Sequence, residues 1–159
     1  LMLFFLGRPS RVYATMFQPP HIEFDLQACA LFETQSGPAH FEALAHPLPR
    51  IGFLRDGWDE RIEINGLRGR LDIYTPFWDK SDSLASLLVH YDAERQTATE
   101  YRFAAESPFV PAMCFFCANI ERGSQGEQSR LTGYEVDELI DAIKASAQAR
   151  QPVDIPWRM

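Results

Sequence analysis

The chain has 159 residues, a length that fits one domain and leaves no room for two of ordinary size. Hydrophobic residues make up 46% of it and charged residues 23%, which excludes a disordered or collagen-like chain. The formal net charge of −7 excludes the basic surface of a nucleic-acid binder, and three cysteines are too few for a disulfide-stapled secreted domain. We therefore expect a single cytoplasmic domain over residues 1–159.

The first predicted element is the end of a buried helix at residues 1–6, an unbroken apolar run. The run is too short to span a bilayer and lacks the basic and small-residue regions of a signal peptide, so we expect no membrane association. It stops at Gly7, a residue that tolerates the positive φ of a helix C-terminus. Because the run has neither a cap nor a polar face, we expect a chain cut from a longer protein.

Residues 10–103 are predicted to form strands. β-forming residues fill 11–17, apolar residues alternate with polar ones over 24–33, and 39–48 return after a turn at 35–38. Two hairpins follow, one at 58–74 with its turn at Asn65-Gly66 and one at 84–103 with its turn at 92–95. Gly69 is expected to allow a β-bulge in the first of these hairpins.

Two helices are predicted after the strands. Residues 107–122 carry an apolar stripe at helical spacing, which we expect to face the core. The stripe consists of Phe109, Val110, Met113, Cys117 and Ile120. Phe115 lies on the opposite side of this helix and should be uncovered unless another domain or subunit meets it.

The last helix is predicted from a capping box, in which Thr132 and Glu135 satisfy each other's free backbone amides. An apolar face follows, and Pro152 ends the helix before an extended segment at 153–155. The face consists of Val136, Leu139, Ile140, Ile143 and Ala147. Strands followed by helices predict an α+β fold, with an open, mostly antiparallel or mixed sheet and helices packed on one face.

The glycines exclude the usual dinucleotide-binding loops. None of the nine glycines stands two residues from another, so the sequence contains no G-x-G and no Rossmann fingerprint, and no glycine is followed by the lysine of a P-loop. G-x-S-x-G is also absent, and no serine, histidine and acid can be singled out as a triad. We therefore assign no catalytic and no cofactor-binding residue in this chain.

Cys114 and Cys117 form a C-x-x-C pattern inside the apolar helix, with no cation beside them in sequence. We expect both to be buried core cysteines, while a redox pair stays open as an alternative. A zinc site is a further alternative, which would need Cys29 and a histidine as additional ligands. The four histidines show no metal-ligand spacing and are expected to be strand or surface residues, so we assign no metal site.

One segment has the mixed lining of a small-molecule site. Trp78 stands beside Asp79 and Lys80 just after a predicted strand, an arrangement that small polar ligands meet in pockets. The alternative is an aromatic residue packed over a strand end with two solvated charges. The candidate substrate-binding residues are Tyr74, Trp78, Lys80 and Arg102.

The ordered elements resemble the C-terminal domain of the glucose–fructose oxidoreductase/inositol dehydrogenase/MocA (Gfo/Idh/MocA) family of NAD(P)-dependent oxidoreductases. Residues 3–9 (LFFLGRP) and the strand after them resemble its helix, Gly-x-Pro and strand entry. Residues 62–71 (IEINGLRGRL) resemble its I-x-G-x-x-G-x-L hairpin, and 116–123 (FCANIERG) its F-x-x-A-I-x-x-G helix. Residues 134–155 resemble its V-x-x-L-I-x-A-I-x-x-S-A…V-x-I ending.

This resemblance implies a domain that shapes the substrate pocket of a sugar or polyol dehydrogenase and pairs its sheet face with another subunit in a homo-oligomer. It also implies that the family's nucleotide-binding Rossmann half, which carries its catalytic lysine and histidine, would precede residue 1. NAD or NADP would then belong to the full-length enzyme, and this chain alone would be inactive. The alternative is a stand-alone, non-catalytic binding or dimerisation module with the same fold.

Overall fold

A computed structural model describes residues 2–44, 58–77, 79–124 and 131–158. The chain divides into two compact units, one of Leu1–Pro47 with Gln125–Met159 and one of Leu48–Ser124. In chain order, the elements are α1 (Met2–Leu6), β1 (Arg11–Phe17), β2 (Gln27–Thr34), β3 (Gly37–Leu44), β4 (Trp58–Gly66), β5 (Gly69–Pro76), β6 (Leu87–Asp92), β7 (Thr97–Arg102), α2 (Phe109–Glu121), α3 (Leu131–Ala149) and β8 (Val153–Asp154).

The described strands form two open, antiparallel sheets of four strands each. The first unit holds the order β3-β2-β1-β8, and the second holds β4-β5-β6-β7. With α3 packed on β1, this architecture confirms the predicted α+β class. None of the helices in the described ranges is long and apolar enough to cross a membrane.

The core of the first unit lies between its sheet and α3. Alternation along β1 and β2 sends one set of side chains inward, as the period-two pattern predicts. The buried members are Val12, Ala14, Ala30, Phe32, Ala142 and Ile155, with Leu139, Ile143 and Ala147 of α3 packed against them. The residues that resemble the family's final helix are therefore largely the ones that hold α3 to β1.

Ser146 connects α3 to the strand beneath it and is fully buried. Its hydroxyl accepts a hydrogen bond from the Ala14 amide at 2.9 Å and donates one to the Gln151 carbonyl at 2.7 Å. The side chain thus satisfies one donor and one acceptor that would otherwise be buried beside the apolar core.

Replacing Ser146 with alanine is expected to lower the free energy of unfolding by about 2 kcal/mol, because two backbone groups lose their partner without gaining water. Urea denaturation followed by circular dichroism measures the change. Ser83→Ala serves as the control, since the Ser83 hydroxyl is exposed and bonds the Lys80 carbonyl of its own turn. A Ser146→Ala change as small as that of Ser83→Ala would show that the two bonds contribute little.

The ends of α1 and α3 differ partly from the predictions. Gly7 takes φ +72° and its amide bonds the Leu3 carbonyl, which confirms the predicted helix end. The helix before it is not buried, however, because a five-residue helix places only Met2 against the core and leaves Phe4 82% exposed. Helix α3 begins at Leu131, one residue before the predicted cap, and the Glu135 carboxylate accepts hydrogen bonds from the Arg8 guanidinium. The Thr132 side chain lies outside the described part of the chain.

The two hairpins of the second unit form as predicted, except for the first turn. Asn65 and Gly66 belong to β4 and pair with Arg70 and Gly69, so the turn consists of residues 67–68. The Asn-Gly pair was placed in the turn because it favours positive φ, but the pairing register puts the turn two residues further on. The bulge expected at Gly69 is also wrong, since the irregularity lies between Trp58 and Glu60 and the register at Gly69 is regular.

The second hairpin turn, predicted at 92–95, is confirmed. The Asp92 carboxylate accepts hydrogen bonds from the backbone amides of Glu94 and Arg95, both at 3.0 Å. The bond from Arg95 is the larger cause that holds the pKa of Asp92 below its ordinary value. An aspartate at this position fixes the turn by replacing a backbone acceptor with its own oxygen.

Helix α2 forms where predicted but is not a core helix. None of its residues is buried, and Val110, Met113, Phe116 and Ile120 each leave about three fifths of their surface exposed. Cys114 and Cys117 are exposed too, so the prediction of core cysteines is wrong. The apolar stripe predicts the helix correctly. The stripe alone does not indicate whether other residues cover it, and in the described ranges none of its residues is buried. Phe115 is 48% exposed, as expected for the opposite side.

Candidate functional site

The second sheet presents a face on which charged and aromatic side chains meet. The register of β4 to β7 places alternate residues of neighbouring strands side by side on this face. We call it the charged face, and its members are Arg61, Glu63, Arg70, Asp72, Tyr74, Tyr91, Glu100 and Arg102.

Asp72 is the centre of the charged face and is only 1% exposed. Arg70 donates to both carboxylate oxygens, from Nε to Oδ1 at 3.0 Å and from Nη2 to Oδ2 at 2.9 Å. Arg61 Nη2 lies 3.4 Å from Oδ1. A buried carboxylate is stable only with such partners, and the bidentate arrangement with Arg70 also fixes the direction of both side chains.

Glu63 joins the same two arginines at the outer edge of the cluster. Its Oε2 lies 2.6 Å from Arg61 Nη2 and 3.0 Å from Arg70 Nη2, while Oε1 accepts from Asn65 Nδ2 at 2.8 Å. Two carboxylates and two guanidinium groups therefore alternate across strands β4 and β5. The side chains of Arg61 and Arg70 are each about one third exposed.

Two tyrosines complete the lining beside the arginines. The Arg61 guanidinium carbon lies 5.9 Å from the Tyr74 ring centre, and that of Arg70 lies 5.7 Å from the Tyr91 ring centre. Burial, followed by the negative charge of Asp72, raises the pKa of Tyr74 above its ordinary value near 10. The Tyr74 phenol is consequently held in its neutral form.

This pKa gives a direct test at high pH. The folded protein holds the Tyr74 proton more tightly than the unfolded chain does. The contribution of this proton to the free energy of unfolding is therefore complete below the ordinary tyrosine pKa, and it is lost as pH rises through the pKa of Tyr74 in the folded protein. We expect the free energy of unfolding of the wild type to fall between about pH 9 and about pH 11 more than that of Tyr74→Phe. Tyr101→Phe, at an exposed position, is the control. Equal falls in wild type and Tyr74→Phe would contradict the expectation.

The structure brings two of the predicted site residues together. Tyr74 and Arg102 lie in one cross-strand row with Leu87 between them, so their strands are about 9–10 Å apart. Arg102 Nη2 donates to Glu100 at 2.8 Å, and the side chain of Arg102 is half exposed.

Lys80 lies in the turn after β5, with its ammonium 5.7 Å from the Phe77 ring centre. Its carbonyl accepts from the Leu84 amide at 2.8 Å, and Leu84 packs against the cluster of Tyr74, Leu87 and Val89. Trp78 lies outside the described residues.

The sequence analysis missed the residues that organise this face. Arg61 and Glu63 of β4 and Arg70 and Asp72 of β5 are not among the residues predicted for the site. A signal was present: the same alternation continues across the turn as Arg70, Asp72 and Tyr74, which places the charges of both strands side by side. The burial of Asp72 carried no signal, because it depends on what packs over β5.

A shallow hollow of about 440 Å³ adjoins this face at the hairpin ends. Its lining includes Arg70 and Tyr91 of the charged face, together with Gly66, Leu67 and Asp92. Within the described ranges, no three side chains of histidine, cysteine, aspartate or glutamate are grouped so that they could hold a metal ion.

Comparison with known proteins finds similarity of structure only. No family model and no curated protein matches the sequence. A provisionally assigned NADPH-dependent oxidoreductase from Desulfitobacterium hafniense matches 97% of the chain at a TM-score of 0.73 and 19% identity. The aldose–aldose oxidoreductase of Caulobacter crescentus, solved with glycerol, matches 92% of the chain at a TM-score of 0.67 and 15% identity. A provisionally assigned oxidoreductase from Klebsiella pneumoniae matches 96% of the chain at a TM-score of 0.69 and 13% identity.

The chain spans less than half the length of each of these proteins, between 41% and 46%. At such identities the matches show the fold, which is that of one part of an oxidoreductase chain.

Proposed function

We propose that this chain is the substrate-pocket and oligomerisation part of an NAD(P)-dependent oxidoreductase of the Gfo/Idh/MocA type. One observation supports the proposal: nearly the whole of this chain matches each oxidoreductase, and the matched part is less than half of that oxidoreductase. The motif resemblance at the hairpin and the final helix supports the same family. The nicotinamide cofactor then belongs to another part of the enzyme, and we place the enzyme in the cytoplasm.

The charged face supports a hydroxylated substrate such as a sugar or polyol. The Arg102 side chain is half exposed and that of Arg70 is about one third exposed, so their donors can reach hydroxyl groups, while the exposed ring of Tyr91 offers aromatic surface to ring carbons. Lys80, in the turn after β5, is a further candidate for the pocket wall, and the sequence adds Trp78 to the candidates. This part of the enzyme binds and orients the substrate, and proton and hydride transfer belong to groups elsewhere in the enzyme.

Homo-oligomerisation through the opposite face of the second sheet is part of the same proposal. That face carries apolar cross-strand rows, with Ile62 beside Ile73 and Leu88, and Ile64 beside Leu71. A second copy would cover these side chains, as in many subunit interfaces. The exposed apolar residues of α2 support a further protein surface in the full assembly.

The test uses the complete gene product rather than this chain alone. The full reading frame is expressed and assayed for reduction of NAD⁺ and NADP⁺ with a panel of aldoses and polyols. Arg102→Ala is expected to raise KM about tenfold with little change in kcat, the loss of about 1.4 kcal/mol of substrate binding. Arg95→Ala is the matched control, since Arg95 lies in the 93–96 turn and is 81% exposed.

Two outcomes would contradict the proposal. If the reading frame contains no nucleotide-binding segment and this chain still binds polyols, the stand-alone binding module is the correct function. If the complete enzyme is active and Arg95→Ala raises KM as much as Arg102→Ala, the charged face does not bind the substrate.

A further inference from the structure

The outer face of the first sheet brings one cysteine and one histidine into contact. Cys29 lies on β2 and His40 on β3, eleven residues apart and joined by the hairpin turn. Cys29 Sγ lies 3.1 Å from His40 Nε2, within hydrogen-bonding distance for sulfur. The register places Cys29 opposite Glu42 and His40 opposite Leu31, so the two side chains are diagonal neighbours on one face.

This face is open to solvent in the described part of the chain. Cys29 is half-buried, His40 is exposed, and the neighbouring Tyr13 and Leu31 are 43% and 50% exposed. By register, the ionisable side chains that neighbour the pair are Glu42 and Tyr13 beside Cys29, and Glu42 and Glu33 beside His40. Cys114 and Cys117 are more exposed than Cys29, but no histidine among the described residues forms a hydrogen bond with either of them.

We propose that Cys29 is a reactive thiol that His40 activates, and that it is a site of covalent modification by carbon electrophiles. The thiolate is the nucleophilic form of cysteine, and a base in hydrogen-bond contact supplies it by taking the thiol proton. His40 Nε2 accepts the proton from Sγ, the sulfur electron pair forms a bond to the electrophilic carbon, and the leaving group departs with its own electron pair. No oxidant or metal enters this step.

Exposure and contact with His40 predict opposite orders of reaction for the three cysteines. If exposure alone governed the rate, the exposed Cys114 and Cys117 would react before the half-buried Cys29. If contact with His40 governs it, the order is reversed. The chain thus carries its own internal controls, two thiols in the same molecule and at the same concentration.

Iodoacetamide tests the order directly. The folded chain is treated at neutral pH, samples are quenched over time, and each cysteine peptide is quantified by mass spectrometry. We expect Cys29 to be alkylated at least about tenfold faster than Cys114 or Cys117, because a free thiol is largely protonated at this pH. His40→Ala should remove this advantage at Cys29 and leave the other two rates unchanged. His90→Ala, on the second sheet, should change none of the three.

Folding is checked separately, so that loss of structure is not mistaken for loss of the base. His40→Gln provides a polar replacement that cannot act as a base, and circular dichroism and thermal unfolding are recorded for every variant. Unfolding the wild type in urea should bring the three alkylation rates together. The proposal is overturned if Cys29 reacts no faster than Cys114 in the folded chain, or if folded His40→Gln alkylates Cys29 as fast as the wild type.

Discussion

Gly69→Ala is expected to lower the free energy of unfolding by about 3 kcal/mol or more, the upper end of the range for an overpacked site. A Cβ atom built at Gly69 lies 2.1 Å from the backbone oxygen of Tyr91 and 3.2 Å from its carbonyl carbon. Both are backbone atoms of β6, so no side-chain rotation can relieve the clash. Because Gly69 pairs with Gly66 on one side and Asp92 on the other, moving it disturbs both hairpins of the second unit.

Two other glycines are matched controls for this prediction, and urea denaturation measures all three. Gly66→Ala places its Cβ 3.5 Å from the Gly69 oxygen, an ordinary contact, and should cost less than about 1 kcal/mol. Gly133→Ala lies in α3 with no heavy atom within 4 Å and should stabilise the chain by about 0.5–1 kcal/mol. Should Gly69→Ala cost no more than Gly66→Ala, the close approach of β5 to β6 would be wrong.

The same hairpin shows which features of the fold the sequence carries. Alternation of Ile62 and Ile64 with Arg61 and Glu63 predicts the strands, because side chains on a pleated strand alternate by geometry alone. The turn position was missed because the local preference of Asn65-Gly66 for positive φ competes with cross-strand pairing. Pairing involves the whole hairpin and prevails over the preference of two residues.

The helices show the complementary limit. The spacing of apolar residues predicts both α2 and α3, because it depends only on the helical repeat. Whether such a stripe is covered depends on the rest of the protein, and the stripe of α3 packs on β1 while Met113 and Ile120 of α2 stay exposed. The error about Cys114 and Cys117 has this origin. The contact between Cys29 and His40 could not be predicted from the sequence either, because it depends on the register of β2 with β3.

The candidate site was predictable to a similar extent. Tyr74 and Arg102 were chosen as aromatic and basic residues near strand ends, and the register does place them in one row. Asp72 could not be chosen, because an acid in an alternating strand usually faces water. Asp72 contacts the side chains of Arg61, on the neighbouring strand, and Arg70, and a local pattern does not record which side chains cover a carboxylate.

Asp72→Asn is expected to lower the free energy of unfolding by about 2–3 kcal/mol. Removing one partner of a buried ion pair costs about 3–5 kcal/mol when the other charge is left fully buried. The cost here is smaller because the Arg61 and Arg70 side chains are 34% and 36% exposed, so water screens the charges left behind. The amide keeps the size of the side chain, and the loss therefore reports the charge rather than a cavity. Urea denaturation at neutral pH measures it.

Glu63→Gln is the matched control, since Glu63 contacts the same two arginines but is 34% exposed. It should cost less than about 1 kcal/mol, as exposed ion pairs do. In a double-mutant cycle, Arg70→Met should cost less in the Asp72→Asn background than in the wild type, because the bidentate pair is already broken. Additive losses would show that Arg70 and Asp72 are not coupled. If Arg70 is coupled to Asp72 but not to Glu63, the burial of Asp72, and not the number of charges near it, makes it the structural centre of the charged face.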